Sequence, residues 1–284
     1  MHPPRFLLHI AGPVLLTALA ILPPSATAST LMLDFGPTAV TGDDRIVSPY
    51  HTVIPTFTDT AWNQVQTSAI TSGLLYSDGT AATGITVSVG RSSSLAWQTL
   101  TFAGAPSSIA LGTNSNTGVF AGTSAGRDAI NYGASTTTTT VVGVAVGGLA
   151  AGTYDIYIVG YNTNNTAASS VDMGFWALAT SSTANLDTTT YLSSPQAAST
   201  NSVTGSWIEG SNYVKLSVTL AANQYMTIFS HGTTSDEMRG FLNSVQIVST
   251  SSIPEPSTTA VLSGLGILVF ASLVRRRPNR QDRS

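Results

Sequence analysis

The chain has 284 residues, 42% of them hydrophobic, with no cysteine and with 11 Lys and Arg against 14 Asp and Glu. The missing thiols exclude cysteine nucleophiles and thiolate metal sites, and a body of over 200 residues can bury a core without disulfides. Over residues 29–253, five basic residues face twelve acidic ones, a net charge of about −7, so no basic footprint for nucleic acid exists there.

Residues 1–28 follow the three-part order of a secretory signal peptide: Arg5, an apolar run over residues 10–22, then small residues. Ala26 and Ala28 sit two apart, the spacing a signal peptidase requires, and cleavage is expected after Ala28. Pro13, Pro23 and Pro24 argue against the alternative of a buried helix.

The body, residues 29–248, carries short alternating or apolar runs separated by Gly, Asn, Ser, Asp and Thr. Strands are expected over residues 31–35, 84–89, 140–146, 154–161, 173–178, 213–220, 225–230 and 241–248. In YVKLSVTL, Val214, Leu216, Val218 and Leu220 share one face, while Lys215, Ser217 and Thr219 share the other. That period of two with one wet face marks an antiparallel sheet packed on one side. The runs are rich in β-branched and aromatic residues, and no long stretch holds a 3.6 period. The expectation is an all-β body, a single antiparallel β-sandwich of about eight to ten strands. A parallel β-helix is the rival, but no repeat of about 20–25 residues is visible. STTTTT over residues 135–140 reads as a strand entry or as a domain boundary, since threonine suits strands and linkers alike.

After the last strand, residues 249–258 read as a flexible stem containing Pro254, Glu255 and Pro256. Residues 259–274 are sixteen uncharged, mostly apolar residues, closed by Arg275, Arg276 and Arg277 within a basic tail, 275–284. As a helix the run is about 24 Å long against roughly 30 Å of hydrocarbon. It spans if the flanking residues enter the interface and the arginines snorkel. The arginine stop assigns the tail to the cytoplasmic side and the body to the outside. A single transmembrane helix is therefore expected to follow the body.

Chemistry leaves few traces in the body. His51 and His231 are far apart and lie in no metal-binding spacing, and no Gly-x-Ser-x-Gly elbow occurs. The acidic pairs Asp43-Asp44 and Asp236-Glu237 each precede an arginine and do not suggest two carboxyls facing across a glycosidase cleft. A structural calcium ion could draw oxygen ligands from Asp34, Asp43, Asp44 or Asp236, although no EF-hand spacing is present; no other cofactor is implied. Trp62, in FTDTAWNQ, and Trp207, in TGSWIEGSNY, have the mixed polar neighbours that a sugar-stacking platform wants and are the candidate glycan contacts.

Pro254-Glu255-Pro256, a glycine-containing apolar run and an arginine cluster, in that order, resemble the PEP-CTERM sorting signal of exosortase substrates. A plain membrane anchor is the alternative. The resemblance covers about 25 residues and implies recognition by a membrane-embedded exosortase, with delivery to the cell surface or to an exopolysaccharide and biofilm matrix. LMLDFGP and EMRGFLNSVQIV are similar to the first and last strands of exported galactose-binding-like β-sandwich domains, in which the terminal strands pair side by side. The expected function is that of an exported, non-catalytic surface or matrix protein with polysaccharide as candidate ligand; a glycan-active hydrolase or esterase is the alternative.

Overall fold

The computed structural model describes residues 29–66, 69–92, 99–102, 106–109, 118–121, 126–133, 140–162, 172–181, 185–188, 191, 194–200, 205–233 and 238–252. Among them lie fifteen strands: β1 (Thr30–Phe35), β2 (Asn63–Val65), β3 (Thr86–Ser92), β4 (Thr99–Thr101), β5 (Ser107–Ile109), β6 (Ala129–Tyr132), β7 (Val142–Gly147), β8 (Gly152–Val159), β9 (Met173–Thr180), β10 (Asn185–Asp187), β11 (Ala197–Ser199), β12 (Val214–Leu220), β13 (Tyr225–Gly232), β14 (Gly240–Leu242) and β15 (Ser244–Ser252). A five-residue helix, α1 (Pro49–Val53), and 3₁₀ turns at Gly42–Ile46 and Gly118–Phe120 complete the described elements. The body is all-β. The strands beyond the expected number include six of only three residues, too short to show a period.

Five strands form one sheet in the order β12-β8-β15-β1-β2, and seven form another in the order β10-β4-β3-β7-β13-β9-β11. The pairings are antiparallel except that of β1 with β2. The alternation read from the sequence explains how the two sheets share a core. Leu31, Leu33 and Phe35 of β1, Ile156 and Ile158 of β8, and Val245 and Ile247 of β15 join Val87 and Val89 of β3, Val142, Val144 and Val146 of β7, and Met226 and Ile228 of β13 in one apolar cluster. In β12, Val214, Val218 and Leu220 are buried and Leu216 packs partly buried against the same cluster. Fully burying each such side chain contributes about 1.5–3 kcal/mol, the main favourable term for this fold.

The first and last strands are neighbours, Thr30 opposite Val248 and Asp34 opposite Ser244. A third, three-stranded sheet, β14-β6-β5, meets the five-stranded sheet at a corner made by one residue. Asn243 separates β14 from β15, its N–H donating to the Val159 carbonyl and its own carbonyl accepting from the Phe35 N–H. Its side-chain oxygen accepts from the Tyr161 N–H at 2.6 Å. The run over residues 241–248, expected as one strand, is therefore two strands in different sheets.

The expected stem also begins later than its sequence suggests. β15 continues to Ser252, pairing Ser249 with Tyr154 and Ser252 with Gly152 across a register shift. The serines and threonine suggest flexibility, but the edge of β8 offers them backbone partners. The signal segment with Ala26 and Ala28, the motif Pro254, Glu255 and Pro256, the apolar run over residues 259–274, and Arg275, Arg276 and Arg277 lie outside the described residues, as do residues 135–139 of the threonine run. Among the described residues no helix is long and apolar enough to cross a membrane.

Candidate functional site

The outward face of the five-stranded sheet carries the larger of the two candidate tryptophan surfaces. Because side chains alternate along β8, Tyr157 and Val159 point away from the main core, and with Val119, Phe120, Tyr161, Tyr213 and Val248 they form a second cluster. Tyr50 from α1 and Trp207 pack on this cluster partly buried. The Tyr50 and Tyr157 rings lie 5.2 Å apart, and Trp207 meets Phe120 edge-on at 5.5 Å and Tyr213 at 6.5 Å. These separations fall in the range of favourable aromatic pairs. Burial raises the pKa of the Tyr157 and Tyr213 phenols, so both are neutral donors at physiological pH.

The segment bearing Trp207 is held by its own side chains. Asn212 accepts from the Ile208 N–H and donates to the Ser206 carbonyl, both at 2.9 Å. Gly210 adopts φ 76°, a backbone conformation that disfavours side chains, and its N–H donates to the Tyr213 carbonyl. The indole is thus fixed at the rim, with Ile208 exposed beside it. Its Nε1 is buried and has no hydrogen-bond partner among the described residues. Polar groups border the patch: Lys215 Nζ lies 2.7 Å from Asp155 Oδ2 and 5.6 Å from the centre of the Tyr157 ring. Ser217 donates to Asp155 at 2.5 Å.

Trp62 belongs to none of these ring pairs. Its Nε1 donates to the Arg45 carbonyl at 2.9 Å, which ties a partly exposed indole to the 3₁₀ turn at Gly42–Ile46. The structure therefore does not join Trp62 and Trp207 in one aromatic cluster. Trp176 is buried against Phe229, with rings 5.0 Å apart and nearly parallel, and Trp97 lies outside the described residues.

The histidines hold structure. His51 Nε2 stands 2.8 Å from the Asp59 carbonyl, which can only accept, so Nε2 carries the proton and Nδ1 accepts from the Ser48 hydroxyl at 2.6 Å. Burial lowers the His51 pKa, opposed by the Asp59 carbonyl and charge. This resembles half of a Ser-His catalytic pair. However, Ser48 is 1% exposed and caps α1, and the third group is a backbone carbonyl rather than a carboxylate. His231 is buried on Trp176, with ring centroids 5.0 Å apart and Nδ1 2.6 Å from the Gly232 carbonyl.

Sequence reading missed Asp128. It immediately precedes β6, is fully buried, and lies close enough to Asp34 for its charge to act on that residue. Burial raises Asp34 well above the usual carboxylate range, and the negative charge of Asp128 adds to the effect. Burial likewise raises Asp128 to about 6. No spacing motif links positions 34 and 128; the only local signal was an acid directly before an apolar strand. Of the other acids considered for calcium, the side chains of Asp43 and Asp44, and all of Asp236, lie outside what the structure describes. Among the described residues no three or more His, Cys, Asp or Glu side chains gather as a metal cluster. No protein-family model matches this chain, nor does any curated protein or solved structure.

Proposed function

We propose that this chain is an exported, exosortase-sorted surface or matrix protein whose body is a non-catalytic β-sandwich, jelly-roll or galactose-binding-like, that holds extracellular polysaccharide. The observation that carries the sorting part is the order Pro254-Glu255-Pro256, uncharged run, Arg275-Arg276-Arg277. Support for the body comes from the pairing of β1 with β15 and from the apolar cluster common to the two large sheets. The sugar reading rests on Trp207, whose segment Asn212 holds at the rim of an aromatic face, and on Lys215 and Asp155, which stand by Tyr157 of the same face. Aromatic faces offer a stacking surface, and the polar border offers hydrogen bonds to hydroxyls.

Two measurements test the reading separately. Changing Pro254, Glu255 and Pro256 to alanine should leave unprocessed chain at the membrane of cells that possess the sorting enzyme. A mature chain that keeps residues 264–277 in both proteins, its mass differing only by the substituted side chains, would leave a plain anchor. Glycan-array binding by the purified protein should fall at least tenfold, about 1.4 kcal/mol, in Trp207→Ala and less in Trp62→Ala, with Trp207→Phe as the control for packing on Phe120. Turnover of a polysaccharide or ester would instead favour the hydrolase class.

A further inference from the structure

The largest unmet polar demand among the described residues sits where the first strand, the last strand and the segment before β6 converge. Asp34 and Asp128 are both 0% exposed. Each has one carboxylate oxygen occupied: Asp34 Oδ1 accepts from the Gly126 N–H at 2.8 Å, and Asp128 Oδ2 accepts from the Thr38 N–H at 2.6 Å. The other oxygen of each, Asp34 Oδ2 and Asp128 Oδ1, is buried without a hydrogen-bond partner. Backbone N–H donors favour the ionised carboxylate, and the charge of Arg127, beside Asp128 in the chain, acts in the same sense; one guanidinium against two buried carboxylates still leaves a net negative charge whose burial is costly.

The surroundings are built for close approach. Gly36 has φ +136°, and a Cβ there would lie 2.5 Å from Asp128 Cγ, so only glycine lets β1 pass this carboxyl. Ser244, opposite Asp34 in the ladder, brings its hydroxyl oxygen to 3.1 Å from where a Cβ on Gly126 would stand. The two side chains that define the place are carboxylates, and the chain has no cysteine. That set suits a hard cation and not zinc.

We propose that Asp34 and Asp128 hold a divalent cation of the calcium class, which ties β1 to the Gly126–Asp128 segment beside β15. The two carboxylates supply the charge, and neutral oxygens and water complete the shell. With only two acids the site is weak, of the 10⁻⁴–10⁻³ M order found in extracellular modules.

The test uses the full-length chain in mild detergent, stripped with chelator and titrated with calcium at neutral pH. At about ten times the dissociation constant, the unfolding midpoint should rise by about 3–5 °C. The gain should vanish in Asp34→Asn and in Asp128→Asn, which keep side-chain shape. A second readout needs neither variant to fold. Phe120 lies 3.9 Å from where a Cβ on Gly126 would stand, and Trp207 packs on Phe120. Trp62 adjoins Asn63, which pairs with Leu33 beside Asp34, so terbium bound at Asp34 should glow on indole excitation, lose that signal to competing calcium, and glow several-fold less when Trp62 and Trp207 are both changed to Phe. A midpoint indifferent to calcium, a calcium gain retained in both Asn variants, or terbium emission unaffected by the double change at Trp62 and Trp207 would overturn the site. A midpoint that ignores calcium but rises on acidification would identify the occupant as a shared proton, also overturning it.

Discussion

Along β8, Tyr154, Ile156 and Ile158 face the core between the two large sheets, whereas the outward residues divide into an open half and a covered half. Thr153 and Asp155 are partly exposed, and Asp155 meets Lys215 and Ser217 across the ladder. Tyr157 and Val159, two and four residues further on, are buried under Tyr50, Phe120 and Trp207. The inward set is fixed by the strand's own period of two. The outward set is decided by segments about 40 to more than 100 positions away in the chain, which no local pattern announces.

Breaking the inward side should have the largest effect. Ile158 is 0% exposed in the main cluster, and Ile158→Ala removes three carbons from a site that strands on both sides prevent from collapsing. The expected loss is about 2–5 kcal/mol in urea unfolding followed by circular dichroism. A loss below about 1 kcal/mol would mean that the shared core is not the main source of stability.

The same contrast explains what could be read beforehand. The strands containing Val214–Leu220, Tyr154–Val159 and Met173–Leu178 announced themselves through alternating or continuous apolar residues, because burial on a sheet leaves that trace. β2, β4 and β5 left none, since three residues cannot display a period and their pairing is set by distant partners. Asn243 looked like a strand interior in FLNSVQIV, yet its side chain serves the turn between two sheets. The polar neighbours of Trp207 mark it in the sequence, and Asn212 among them fixes its backbone. Asp128 was passed over because its burial is created by Gly36 and Thr38, 92 and 90 positions earlier.

Asn63 sharpens the comparison at an intermediate size. It lies next to Trp62, in a stretch whose polar residues suggested a ligand surface, but its amide is spent inside the protein. Asn63 Nδ2 donates to the carbonyls of Met32 and Leu75, and Asn63 Oδ1 accepts from the Leu75 N–H at 2.8 Å. Asn63→Ala should cost about 2 kcal/mol, because it strands the buried Met32 carbonyl and the half-buried N–H and carbonyl of Leu75. Asn63→Asp is the informative companion: it keeps the acceptor and loses both donations. Recovery of full stability by that variant would show that the Leu75 N–H alone matters.

The smallest effect concerns Ser48 and His51, where the covered outer region begins. Ser48 caps α1, weakly by distance at 3.5 Å to the His51 N–H, and closely by its hydroxyl at 2.6 Å to His51 Nδ1. Ser48→Ala should therefore cost about 1 kcal/mol at pH 8, the ordinary value of a lost cap. Its pH dependence separates the two bonds. Burial holds the folded His51 pKa below its unfolded value of 6.5, so between those values the unfolded chain binds more protons than the native one. The stability of neutral His51 is thus complete above pH 6.5 and is lost as pH falls through the lowered folded pKa. In the native protein the Ser48 hydroxyl can turn its lone pair toward a protonated Nδ1 and soften that loss. Alanine cannot, so the difference between the two proteins should grow as pH falls from 8 to 5. Taking that difference cancels the opposite trend from Asp34 and Asp128, whose raised pKa values favour the fold at low pH, a contribution that Asp128 loses as pH rises through about 6. Parallel stability curves for the two proteins would show that the hydroxyl acts only as a backbone cap.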